Sequence, residues 1–257
     1  QKSFKKLIRL MSRLRSKNGC PWDKAQTHSS LKKYLIEEAY EVCEVIDSKD
    51  PEKLKDELGD LLFQAIFHAQ IAKERGRFDI DDVLRTSLRK MLRRHPHVFG
   101  KHKASGPEEA YKRWEEKKHT EYNNKEKRTL LSGIPHALPA LLKAQKVSKR
   151  AAWRGFDWAD INGVIEKIEE ELEEIKRAVK HKNRRKCAEE TGDMLFALVN
   201  LARFMKIDAE ETLNSATKKF TKRFKRMETE LVKQGKKIKD CSLKELDRLW
   251  NLHKKKN

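Results

Sequence analysis

Cysteine is too sparse and too scattered in this sequence to build a zinc site or a redox motif. The four, Cys20, Cys43, Cys187 and Cys241, form no Cys-x-x-Cys pair. Free buried thiols in a reducing compartment are the expectation. Glycine and proline are also few, 10 and 6 in 257 residues, which excludes a sandwich rich in turns. No apolar run approaches the roughly 20 residues that span a bilayer. Gln1 to Arg15 lacks the apolar stretch of a signal peptide, so a cytoplasmic protein without a membrane partner is expected. A Gly-x-x-x-x-Gly-Lys phosphate loop is missing, which argues against a P-loop enzyme. Neither Ser132 nor any cysteine stands in a visible nucleophile–base arrangement.

What is present is charge at helical spacing. Charged residues are 39% of the chain and the net charge is +20, which points to polyanionic partners, nucleotides or nucleic acid ahead of membrane. Phe4, Leu7, Ile8, Met11 and Leu14 recur at helical period up to Asn18-Gly19-Cys20-Pro21. Further helices are expected over 31–47, from Pro51 behind the cap Asp50 to Lys73, and from Asp79 or Asp81 to the residue before His95-Pro96. After a polar stretch, Asn123 to Lys127, and the turn Ser132-Gly133-Ile134-Pro135, helices are expected over 138–153, 161–182, 184–206, 208–234 and 242–253. No segment reads as a strand. The chain is read as all-α in two domains, 1–120 and 135–257, joined by a linker over 121–134.

One acidic pattern occurs twice. Glu37-Glu38-x-x-Glu41 followed by Glu57-x-x-Asp60 returns as Glu170-Glu171-x-x-Glu174 followed by Glu190-x-x-Asp193, every position offset by the same interval without a gap. On a helix turning about 100° per residue, each Glu-Glu-x-x-Glu shares one face, and each Glu-x-x-Asp another. A short loop makes the two helices an antiparallel hairpin. The acids would then border apolar stripes, Val42, Val45 and Ile46 against Leu58, Leu61 and Leu62. Five carboxylates beside a core repel each other and lose hydration. A hard cation offsets both, and all-oxygen ligation selects Mg²⁺ or Mn²⁺. The plainer alternative is a solvated glutamate-rich face. The ungapped repeat weighs against it, as do Gly59 and Gly192, each inside a helix at a cost of about 1 kcal/mol relative to Ala; a close helix or ligand approach would account for them.

These residues resemble the MazG-type nucleoside triphosphate pyrophosphohydrolases, whose signature is Glu-Glu-x-x-Glu followed by Glu-x-x-Asp. Gly19-Cys20-Pro21-Trp22-Asp23-Lys24-Ala25-Gln26-Thr27, Arg94-His95-Pro96-His97-Val98-Phe99, Arg113-Trp114-Glu115 and Gly155-Phe156-Asp157-Trp158 extend the resemblance over nearly the whole chain. The resemblance implies a tandem pair of helical domains whose four-helix bundles are completed by homodimerisation. It implies Mg²⁺-dependent hydrolysis of nucleoside triphosphates, ribo- or deoxyribo-, to monophosphate and pyrophosphate, an activity suited to clearing non-standard nucleotides.

In the second domain Glu171, Glu174, Glu190 and Asp193 are the expected metal ligands, with Glu170 beside them as a further ligand, substrate contact or base, and Glu171 catalytic with it. Glu37, Glu38, Glu41, Glu57 and Asp60 are the corresponding set in the first. By resemblance, Lys167, Lys186, Lys219 and Arg223 contact the triphosphate, Lys118 reaches in from the connecting region, and Trp250 packs on the nucleobase. Each could instead be an ordinary surface lysine or a core anchor. The position matching Lys167 is Tyr34, and that matching Lys186 is Lys53. The first domain therefore offers a less basic cradle, and the second is expected to carry most of the turnover. His95, His97 and His102 have no acid or cysteine to complete a metal site and are read as loop or interface residues. The rival reading is a basic helical protein that binds nucleic acid, or a metal-binding regulatory bundle, without catalysis.

Overall fold

A computed structural model describes residues 2–100, 103–123, 129 and 131–254. The chain divides into two compact units, Gln1–Tyr122 and Asn123–Asn257, and the described residues contain no strand. Part of the expected linker, 124–128 and 130, lies outside the described residues, as does His102.

The first unit holds α1 (Lys2–Leu14), α2 (Pro21–Ala25), α3 (Lys32–Ser48), α4 (Pro51–Glu74), α5 (Ile80–Arg94), α6 (Pro96–Phe99) and α7 (Pro107–Asn123). The second holds α8 (Ala140–Trp153), α9 (Ile161–Lys180), α10 (Arg184–Phe204), α11 (Ala209–Lys233), a short 3₁₀ turn at Ile238–Asp240, and α12 (Leu243–Lys254). In each unit a long hairpin is the centre: α4 packs on α3 and α1, and α10 on α9 and α8.

The two hairpins close by the same device. Asp50 accepts hydrogen bonds from the Glu52 and Lys53 amides at 3.1 and 3.3 Å. Asn183, its counterpart, accepts from the Lys186 amide at 3.1 Å. Such caps satisfy amides that the first helical turn cannot. Just before each cap a lysine is left-handed, Lys49 at φ 58° and Lys182 at φ 52°, a conformation uncommon for residues with a Cβ. The repeat seen in the acids thus extends to the backbone of the turns that set each acidic pair in register.

The cores differ in bulk. Met11, Leu31, Ile66, Phe67, Ile71 and Ile80 form the first, with Phe4, Leu7, Ile8, Tyr34 and Phe63 against it. Burying each large side chain stabilises by about 1.5–3 kcal/mol. In the second, Val199, Ala202 and Ala209 pack with Leu141 and Ala144. Arg15 leaves the end of α1 to reach Glu74 at the end of α4, Nη2 to Oε2 at 2.7 Å, which draws Glu74 below the ordinary carboxylate range.

Several expectations need correcting. Val42 and Val45 are buried, but Ile46, Leu58 and Leu62 are exposed, so the stripes beside the acids are only half covered. Nothing among the described residues lies within 4 Å of a Cβ added at Gly59 or Gly192, so no helix of this chain approaches closely there. The cysteines are free, but none is buried: Cys43 is exposed and Cys20, Cys187 and Cys241 are half-buried. The first helix ends at Leu14, four residues before Asn18. α7 was not expected at all, although Pro107 at its start and Glu108-Glu109 in its first turn are ordinary start signals.

Candidate metal and nucleotide site

Because α3 and α4 run antiparallel from a two-residue turn, the acids of one helix face those of the other. Glu38, Glu41 and Glu57 can place one carboxylate oxygen each within 4.8 Å of one another. Glu171, Glu174 and Glu190 do the same between α9 and α10. Asp60 is near enough to raise the pKa of both Glu38 and Glu57. Glu37, Glu170 and Asp193 are exposed at the margins and are not part of these tight triplets.

The second triplet lies deeper. Glu171 is 4% and Glu190 2% exposed, and Glu174 is half-buried. Lysines stand one turn away on the same helices. Lys167 Nζ lies 2.8 Å from Glu171 Oε1 and 3.0 Å from Glu170 Oε1. Lys186 Nζ lies 2.6 Å from Glu190 Oε1. Lys186 chiefly, against the opposing effect of burial, holds Glu190 below the usual carboxylate range. Glu171 in turn pushes Lys167 well above the ordinary lysine value, with Glu170 adding to it.

These ion pairs do not satisfy the site. Glu171 Oε2 is buried with no hydrogen-bond partner among the described residues. Glu190 Oε1 has the Lys186 ammonium at 2.6 Å, offered by a side chain that is itself largely exposed. Buried carboxylate oxygens without partners are costly. The donor set is entirely oxygen, anionic and preassembled. A hard divalent cation fits it better than zinc, which prefers nitrogen and sulfur.

Among the described residues no ion pair ties a cation to the first triplet, although Lys53, the counterpart of Lys186, stands one turn before Glu57. Burial chiefly pushes Glu38 up, with Asp60, Glu41 and Glu57 adding to it and Gln64 opposing. Glu57 is raised by burial, then by Glu41, Asp60 and Asp56. Gln64 donates from Nε2 to Glu38 Oε1 at 3.4 Å. It stands one turn beyond Asp60, and that i+4 spacing was the signal by which the sequence could have revealed it.

The other expected substrate residues fall in two places. Lys118, on α7, lies 3.3 Å from Glu115 and 4.7 Å from the Trp114 ring centroid. Lys219 is exposed on α11, and Arg223, one turn on, stands 5.9 Å from the centroid of Trp250. Trp250 also packs on Phe220, centroids 5.0 Å apart, so it anchors α12 to α11. No hydrogen bond or ion pair among the described residues ties Lys219, Arg223 or Trp250 to the carboxylates. Arg223 Nε is itself buried without a hydrogen-bond partner.

Comparison with known proteins matches the chain to a described domain. The model of the MazG nucleotide pyrophosphohydrolase domain matches the chain twice, over residues 26–99 and 160–227, and each match contains one of the carboxylate sets. A relative from Thermotoga maritima, described as a nucleoside triphosphate pyrophosphohydrolase/pyrophosphatase, is 49% identical over 96% of this chain and 94% of its own. An Escherichia coli K12 relative, described as a nucleoside triphosphate pyrophosphohydrolase, is 42% identical over 95% of this chain and 94% of its own. A crystal structure of a MazG-related protein from Thermotoga maritima is 30% identical with a TM-score of 0.38, covering 44% of this chain and 97% of that one.

Proposed function

The chain belongs to the MazG nucleotide pyrophosphohydrolase family, and we propose that it hydrolyses nucleoside triphosphates, ribo- or deoxyribo-, between the α- and β-phosphates, using Mg²⁺ or Mn²⁺. The observation that carries the metal is Glu171 Oε2, buried with no hydrogen-bond partner among the described residues and set beside the equally buried Glu190. Glu171, Glu174 and Glu190 hold the cation, with Asp193 completing the shell from the exposed margin. When bound, the cation neutralises the phosphate oxygens and polarises a water.

The chain's own residues do the rest. Lys167 and Lys186 guard the carboxylates in the structure described, and their long side chains can turn to the triphosphate once the acids are otherwise neutralised. Lys219 and Arg223 add positive charge for the phosphates, and Trp250 offers a flat face to the base. Glu170, exposed beside Lys167, takes the proton of the attacking water as its oxygen bonds to phosphorus and the α–β bridge breaks. Monophosphate and pyrophosphate leave. Clearing of non-standard triphosphates is a role this chemistry suits.

The second unit carries most of the turnover, because its acids lie beside Lys167 and Lys186 while Tyr34 replaces the first of these in the other unit. Pyrophosphate release from a panel of standard and modified triphosphates tests the reading. Glu171→Gln is expected to abolish most release and Glu38→Gln little of it. Equal losses would sink the asymmetry, and orthophosphate as sole product would contradict α–β cleavage.

The working form is a homodimer. On α9, Ile161, Ile165, Leu172 and Val179 are exposed, and with the half-buried Ile168 and Ile175 they make a stripe at intervals of four and three residues. Such a stripe normally meets another helix. Leu172→Glu should shift the protein towards monomer in sedimentation; an unchanged mass would remove this face as the interface.

A further inference from the structure

His95, His97, Ala110, Tyr111 and Trp114 line an open depression of about 330 Å³ in the first unit. It is built on the end of α5, on α6 and on α7, none of which carries the acidic triplets. Its size is that of a small-molecule site, and its walls are mostly aromatic, as such sites are. The Tyr111 and Trp114 rings are nearly parallel, inclined by 24° with centroids 6.3 Å apart. Those of His95 and His97 are 5.5 Å apart and inclined by 54°.

The walls are held from behind. His95 donates from Nδ1 to the Met91 carbonyl at 2.7 Å, which fixes its tautomer and ring plane. Arg94 and Lys118 stand over the Trp114 ring at 5.5 and 4.7 Å. Both cations are already committed, Arg94 to Glu121 at 2.7 Å and Lys118 to Glu115 at 3.3 Å. One wall residue is not: the His97 imidazole makes no hydrogen bond among the described residues, its Nδ1 being buried without a partner.

Those features select a ligand class. Aromatic faces bind a flat ring by stacking, and an unmet imidazole nitrogen asks for a polar ring edge. Paired cations leave little attraction for a triphosphate, and a lining that holds no carboxylate among the described residues offers little to a hard cation. We propose that this depression is a metal-independent site for the uncharged base of a nucleoside, separate from the carboxylate sites.

Metal independence supplies the test. The full chain in excess chelator is titrated with adenosine, guanosine, cytidine and uridine by calorimetry. At least one should bind, once per chain. His97→Ala and Trp114→Leu should each weaken it by about tenfold or more, while Glu171→Gln and Trp250→Leu leave it unchanged. Mg²⁺-dependent pyrophosphate release by His97→Ala, retained near the parent level, shows that this variant folds. The proposal is overturned if no nucleoside binds below millimolar concentration, or if Trp250→Leu rather than His97→Ala removes binding. It is also overturned if the part of the tryptophan fluorescence lost in Trp114→Leu follows protein concentration and ignores nucleoside, which would make the depression part of an interface. Loss of pyrophosphate release in the parent chain would bear on the proposed reaction and leave this site unaffected.

Discussion

Lys186 and Glu190 sit one helical turn apart with Nζ 2.6 Å from Oε1, and Glu190 is the more buried partner at 2% exposure. An ion pair this lopsided is fragile, because removing the exposed member strands a charge in the interior. Lys186→Met should therefore destabilise the metal-free protein, with Glu190 rising from its lowered position towards neutrality. Saturating Mg²⁺ should narrow the difference between variant and parent, since a cation replaces the lost ammonium. Thermal unfolding with and without Mg²⁺ reads this out; equal stabilisation of both proteins would exclude Glu190 as a ligand.

The two acidic sets should compete differently with protons. Glu38 and Glu57 are raised, so they keep protons to higher pH and must release them to a cation. Glu190 is lowered and has little to release near neutrality. Mn²⁺ titrations on Glu171→Gln, which leaves the first set intact, and on Glu38→Gln, which leaves the second, should separate them. As pH falls, affinity at the first set should decline before affinity at the second. The reverse order would reject the contrast between the two environments.

Gly192 lies within α10 with open space where a Cβ would stand. Inside the chain, Gly192→Ala costs nothing sterically and should stabilise the helix by about 1 kcal/mol. If substrate or a partner copy approaches there, the same change should lower kcat/KM. A rise in Tm with reduced turnover is the expected pair of results. A rise in Tm with full turnover would show that nothing needs the space.

His28 and His68 face each other with Nδ1 atoms 2.8 Å apart, a contact that needs one ring to accept. Burial, then the neighbouring His28, lowers the pKa of His68 from its ordinary 6.5. The unfolded chain thus takes a proton at His68 that the folded chain refuses. Stability falls as pH drops below about 6.5 and stops falling on this account once pH passes below the folded value. His68→Leu, which copies the counterpart position Leu201, should flatten that slope in urea unfolding between pH 7.5 and 5. An unchanged slope would place the pH sensitivity elsewhere.

The helical plan was legible because period and capping are local. Asp50, Asp79 and Asp208 stand at helix starts, where their side chains accept from the first-turn amides. α7 was missed because its stripe is weak and its charges dense, so no face stood out. The core stripes were half wrong for a related reason. Ile46, Leu58 and Leu62 have the right spacing, but spacing cannot say whether this chain or another covers the face.

The candidate site was legible in its ligand types and in its doubling, since Glu-Glu-x-x-Glu and Glu-x-x-Asp fix which acids share a helical face. That much the sequence determined alone, because i, i+3 and i+4 neighbours are set by helix geometry. Only the tertiary structure decided which acids converge. Antiparallel packing brings Glu171, Glu174 and Glu190 within reach of one another and leaves Glu170 and Asp193 exposed at the margin. It also decided that the two copies differ electrically, because burial and the distance from lysine to carboxylate exist only once the helices pack. The same patterned acids are thereby raised at Glu38 and Glu57 and lowered at Glu190.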